Sequence, residues 1–144
     1  MMRFVPRLAA AAALALGLAA CEDPLGGGLV PVRFTVTERP TPEFAVASEA
    51  ARSVTVRGTF GFSSCDEIDP DARLDGNTLV FRLEADGSGG ACLPVLEVRG
   101  YRAEMSSLEP DTYHVRVEHV GTTDSYDGTT RPDGVRFEAN VTVR

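Results

Sequence analysis

From Val135 to Arg144 the chain alternates without a break: Val135, Phe137, Ala139, Val141 and Val143 share one parity, and Arg136, Glu138, Asn140, Thr142 and Arg144 share the other. A repeat of two is that of an extended strand with one buried and one wet face. A helix would scatter the same apolar residues around its circumference. The parity recurs upstream and places Val32, Phe34 and Val36 inward in a first strand, then Val54, Val56, Phe60 and Phe62 in a second, with Gly58 expected as a bulge. Leu79, Phe81 and Leu83 mark a third strand, Val95 to Val98 a fourth, and Tyr101, Ala103 and Met105 a fifth. A sixth carries Tyr113, Val115 and Val117 inward against His114, Arg116 and Glu118, and the C-terminal strand is the seventh. Helical periodicity is weak and confined to Phe44 to Arg52, where an Ala-rich stretch suits a short turn. Pro40 and Pro42 separate the first strand from the next segment and suit an edge, or a strand that changes sheets.

Seven short strands separated by turn signals predict an all-β domain over residues 32–144, a single seven-stranded antiparallel immunoglobulin-like sandwich. The run Leu108-Glu109-Pro110-Asp111-Thr112-Tyr113-His114-Val115-Arg116-Val117 resembles the E to F corner of fibronectin type III and related bacterial immunoglobulin-like domains. That resemblance implies that Leu108 plugs the core, Pro110 fixes the turn, and Tyr113 is a tyrosine-corner residue whose hydroxyl returns to upstream backbone. The match is partial: Asp111 stands where the pattern has Gly, the chain has no Trp, and Cys92 precedes the corner strand. A transthyretin-like variant of the same architecture and a small barrel are the alternatives.

At the other end of the chain, Arg3 and Arg7 precede an apolar run from Leu8 to Ala20 that closes on Leu18-Ala19-Ala20-Cys21. The run is shorter than the roughly 20 residues a spanning helix needs, and reads as a cleaved signal. The tetrapeptide resembles the lipobox of bacterial lipoproteins. The resemblance implies a signal peptide over 1–20, lipid on Cys21 (diacylglyceryl on sulfur and an N-acyl chain such as palmitate), and localisation in the bacterial cell envelope. Glu22 after the cysteine favours the outer membrane, at its periplasmic face or surface. Two or three acyl chains, at about 0.8 kcal/mol per buried methylene, hold a protein on a bilayer durably. Residues 21–31, with Gly26-Gly27-Gly28, suit a flexible tether. With Cys21 taken by lipid, the count leaves Cys65 and Cys92, an even pair in an oxidising compartment, and a bridge between them is expected. Closing a loop of that length stabilises by roughly 3 to 4 kcal/mol in the chain-entropy model.

The formal charge is −7, and loss of Arg3 and Arg7 with the signal takes it to −9. Such a surface disfavours nucleic acid and direct adsorption to anionic headgroups. All basic residues are Arg, which a high-GC genome explains. The two histidines, His114 and His119, are five apart on one strand, so they point to opposite faces and are not expected to share a metal. His119 has the inward parity and is expected partly buried and hydrogen bonded. No Gly-x-Ser-x-Gly elbow is present, and no catalytic residues, metal ligands or cofactor are expected. Asp66, Glu67, Asp69, Asp71 and Asp75 form the best candidate for a calcium-binding loop, but their spacing does not fit an EF-hand and Arg73 opposes a cation, so solvated loop charge is expected. The long loops, 63–77, 84–91 and 121–134, the last with Tyr126 and with Asp124, Asp127 and Asp133, are the expected contact surfaces. The sequence thus points to a lipid-anchored envelope protein with a noncatalytic interaction or structural module, in contact with the membrane through Cys21 and with an envelope protein or glycan. The alternative is an accessory domain binding a small ligand, calcium or polysaccharide.

Overall fold

The computed structural model describes residues 27–40, 43–87, 91, 95–122 and 133–144. Two sheets pack face to face. The first, sheet I, holds β1 (Gly28–Leu29), β5 (Glu67–Asp75), β6 (Thr78–Asp86), β8 (Thr112–Val120) and β9 (Gly134–Thr142), in the order β1-β5-β6-β8-β9. Sheet II holds β2 (Val32–Thr37), β3 (Ala45–Ala47), β4 (Val54–Ser63) and β7 (Leu96–Met105), in the order β2-β7-β4-β3. Between them lie Val54, Val56 and Phe60 of β4, Leu79, Phe81 and Leu83 of β6, Tyr101, Ala103 and Met105 of β7, and Val115 and Val117 of β8. All of these have the inward parity, and each large aliphatic side chain among them contributes about 1.5–3 kcal/mol by leaving water. Phe34 reaches the same centre, with ring centroids 6.2 Å from Phe60, 6.4 Å from Phe81 and 5.6 Å from Tyr101.

The sandwich is all-β, but the described residues form nine strands rather than seven, and one pairing is parallel. β6 and β8 run side by side in the same direction, Thr78 opposite His114 through Glu84 opposite Val120. The cause is the path between them, because β7 returns in the other sheet and each crossing reverses the chain. Every other pairing among the described residues is antiparallel.

Several local expectations are corrected. β5 occupies the stretch expected as an acidic loop: Ile68, Pro70, Ala72 and Leu74 alternate with Glu67, Asp69, Asp71, Arg73 and Asp75, so period two is present but hidden by strand-poor residue types. Pro70 is tolerated because β1 pairs only with Arg73 and Leu74, so the Pro70 stretch is a sheet edge needing no amide there. The expected fourth and fifth strands are one, β7, which runs through the buried Gly100. β3 stands where a short turn was expected, with the turn following at Ala51 and Arg52. Gly58 is not a bulge, since β4 pairs with β7 in unbroken register from Val54 to Ser63. A Cβ there would lie 2.6 Å from Phe44 Cε1 and 2.8 Å from the Tyr101 hydroxyl, and glycine makes room for both.

The bulge lies instead between β8 and β9, where Val117 faces Phe137 but Glu118 faces Val135. The extra residue, Arg136, resets the parity. Val135, expected inward, is 46% exposed, and Arg136, expected outward, is half-buried. At the start of the domain, Gly28 and Leu29 pair with Leu74 and Arg73, and Val30 N–H donates to Ala72 O at 3.0 Å, so these residues of the expected tether are bonded to sheet I.

Candidate functional site

The outer face of sheet I is a ladder of charge. Strand alternation sends Asp69, Asp71, Arg73 and Asp75 of β5, Arg82 and Glu84 of β6, Arg116 and Glu118 of β8, and Glu138 of β9 outward, and several of these line a shallow groove along β5 and β6. Ion pairs stud this face: Arg73 Nε to Asp71 Oδ2 at 3.0 Å along β5, Arg82 to Glu84 at 2.9 Å along β6, and Arg116 Nε to Glu138 Oε1 at 3.0 Å between β8 and β9. Exposed pairs of this kind are screened by solvent and add little to stability. The candidate cation ligands do not converge. Outward residues two apart on β5 are spaced about 6.6 Å along the strand, and Asp66 is spent on its own turn, accepting from Ser63 N–H at 2.7 Å. Among the described residues no three His, Cys, Asp or Glu side chains are grouped to hold a metal ion. Asp133 accepts from Gly121 N–H at 2.7 Å, whereas Asp124, Tyr126 and Asp127 lie outside the described residues.

The two histidines face opposite ways, as their spacing requires. His119 is fully buried, its Nε2 3.1 Å from the Tyr101 hydroxyl and its ring 5.6 Å from Phe44. His114 lies outside, with Nδ1 3.1 Å from Asn140 Oδ1 and Nε2 3.5 Å from Glu138 Oε1. The Arg116 hydrogen bond holds the Glu138 carboxyl below the usual carboxylate range, reinforced by His114 and opposed by partial desolvation.

At the β7–β8 corner, Leu108 is buried and the Tyr113 hydroxyl donates to Glu109 O at 2.8 Å, while Pro110 is exposed. The neighbouring Arg52, at φ 57°, ties this corner down. Its Nε donates to Leu108 O at 3.1 Å, its carbonyl accepts from Leu108 N–H at 3.1 Å, its guanidinium pairs with Glu109, and its N–H donates to Arg144 O at 3.1 Å. That hub is not anticipated by sequence reasoning, since nothing in local sequence marks Arg52. Cys65 sits in the turn after β4, and Ser64 of that turn is bonded twice to Val95, through Ser64 N–H to Val95 O at 2.8 Å and Val95 N–H to Ser64 Oγ at 3.1 Å. Cys92 and Cys21 lie outside the described residues.

The outer face of sheet II carries a second group that sequence reasoning misses. Arg57 of β4 is directly opposite Arg102 of β7. Glu49, just past β3, spans the two, with Oε1 2.7 Å from Arg57 and Oε2 3.0 Å from Arg102. Glu104, two residues along β7, approaches Arg102 only to 4.0 Å. Thr55, two residues before Arg57 on the same face, is 2% exposed, and its hydroxyl makes no hydrogen bond. Parity alone puts both arginines outward; only the β4–β7 register brings them together.

No family model, curated protein or solved structure matches the chain.

Proposed function

We propose that the chain is a lipid-anchored protein of the bacterial cell envelope whose sandwich, of immunoglobulin-like kind, serves as a noncatalytic interaction or structural module. The observation that carries this reading is the separation of the two ends of the domain. Gly28, the first strand residue among the described residues, meets Leu74 at the end where the Gly76–Asn77 turn and the β7–β8 corner lie. β4, β6 and β8 terminate, and β5, β7 and β9 begin, at the opposite end. The anchored side therefore carries tight turns, and the chain's long connections spring from the side held away from the bilayer. The Tyr113 return bond and the buried Leu108 support the corner resemblance, although the parallel β6–β8 pair departs from the antiparallel pattern of that family.

The two hydrogen bonds between Ser64 and Val95 support a Cys65–Cys92 bridge, because they place Cys65 beside the strand approach three residues after Cys92. The bridge pins two of the outward connections to one another.

Fractionation tests the anchor. The wild type should sediment with membranes and incorporate labelled palmitate, and Cys21→Ser should be soluble and unlabelled. Membrane association unchanged in Cys21→Ser refutes the anchor. Alkylation without reductant, read by intact mass, should leave Cys65 and Cys92 unmodified.

A further inference from the structure

We propose that Arg57 and Arg102 form a carboxylate-binding site on the outer face of sheet II, closed in this structure by Glu49 acting as an internal stand-in for the ligand. Like charges directly opposite one another on neighbouring strands repel, and Arg57 faces Arg102 in this way at the centre of the sheet. An anion shared between them removes that repulsion, and a carboxylate has the two oxygens that two guanidinium groups call for. Glu49 supplies them one to each arginine, at 2.7 and 3.0 Å.

Two further features distinguish a site from a plain ion-pair triad. The first is Thr55. β3 pairs Ala47 with Thr55 and Ala45 with Arg57, so Glu49, two residues past Ala47, must meet the arginines across the position of Thr55. The Thr55 hydroxyl under this bridge is buried with its hydrogen-bonding capacity unused. Glu49 therefore satisfies two of three donors, and a carboxylate seated closer to the sheet takes all three. A buried polar group without a partner is the feature that ligand binding can correct. The second is room to open. Glu49 belongs to no strand, and it lines a shallow concavity with Ser48, Ala50, Ala51, Thr142 and Arg144 into which its side chain can withdraw. The side chains of Arg57, Arg102 and Glu49 are 46%, 44% and 33% exposed, so a ligand reaches the pair from solvent without unfolding.

The ligand class is set by the stand-in: a carboxylate, supplied either by a free small acid or by an acidic peptide side chain. The site lies on the folded domain and does not involve Cys21, so its test is separable from that of the anchor. The full chain in detergent micelles is titrated with succinate, with succinamide as the neutral control and with a pentaglutamate peptide in a parallel arm. The arginine Nε–H NMR signals of residues 57 and 102 are followed. Removing the competing charge with Glu49→Gln should tighten succinate binding by at least tenfold over the wild type. In the Glu49→Gln background, Arg102→Lys should weaken it by at least tenfold and Thr55→Val severalfold, and succinamide should shift neither signal. Pentaglutamate binding tighter than succinate identifies a peptide source, and the reverse identifies a free acid.

Equal succinate affinity in wild type and Glu49→Gln overturns the proposal, as does an affinity in Glu49→Gln that Arg102→Lys leaves unchanged. A purely structural triad would lower the melting temperature of Glu49→Gln with no gain in binding. Should that variant lose its dispersed spectrum, the wild type decides: saturating succinate must displace the Glu49 carboxylate 13C signal, and an unmoved signal overturns the site.

Discussion

Gly58→Ala sets two opposed effects against each other, and the structure says which prevails. In an open strand position the substitution stabilises by about 0.4–1 kcal/mol, because alanine restricts the unfolded chain and glycine weakens a strand. At position 58 the new methyl would stand 2.6 and 2.7 Å from Phe44 Cε1 and Cδ1 and 2.8 Å from the Tyr101 hydroxyl. Neither neighbour can move without loss. The Phe44 ring is stacked on Phe137 with centroids 6.0 Å apart and packs on His119, and the Tyr101 hydroxyl is bonded to buried His119. Overpacking of this kind costs about 1–3 kcal/mol, so the net expectation is destabilisation of about 1–2 kcal/mol. At about 4 °C per kcal/mol for a domain of this size, the melting temperature falls by roughly 4–8 °C. Urea unfolding followed by far-UV circular dichroism should show a lower midpoint with an unchanged m-value. A variant as stable as the wild type, or more stable, refutes the close-packing account and leaves Gly58 an ordinary strand glycine.

Three further outcomes rest on particular contacts. Tyr113→Phe removes the hydroxyl that Glu109 O accepts and should cost about 1–1.5 kcal/mol in the same unfolding assay; a neutral result would mean that the corner bond is idle. The bulge predicts a contrast within one strand pair: Val135→Ser should fall within about 0.5 kcal/mol of the wild type, and Val117→Ala should lose about 1–3 kcal/mol. Glu138 should titrate below the usual carboxylate range by 13C NMR and return toward it in Arg116→Ala. Because its folded pKa is the lower one, ionised Glu138 supports the fold above the unfolded value, and that support is lost as the pH falls through the folded value.

Legibility in the sequence tracks local chemistry. Tyr113, Val115, Val117 and His119 read inward and are buried, since an uninterrupted strand keeps its parity. β5 escapes because Asp and Pro argue against a strand wherever they stand, and only the sheet shows that Pro70 lies on an uncovered edge. Val135 misleads because one bulged residue reverses every side chain beyond it, and a bulge is a property of two strands, invisible in either alone. Gly58 carries an ambiguous sign: the same residue suits a kink or a close contact, and Phe44 decides it from well upstream in the chain. The candidate carboxylate site is illegible for a related reason, because the pairing of Arg57 with Arg102 is a fact of register.

The interleaving of the sheets has a consequence for how the chain matures. Strands alternate between sheets in an order that leaves sheet II unfinished until β7 arrives and sheet I unfinished until β9 arrives, and β8 needs both of its neighbours, β6 from before the crossing and β9 from after it. No nascent fragment holds two finished layers, so vectorial synthesis or translocation delivers an incomplete core until the last strand emerges. Such a topology, rich in distant pairings, folds slowly. It makes the C-terminal strand the latch of the whole domain, and a nonsense mutation before Gly134 should yield a chain for the proteases rather than a smaller module.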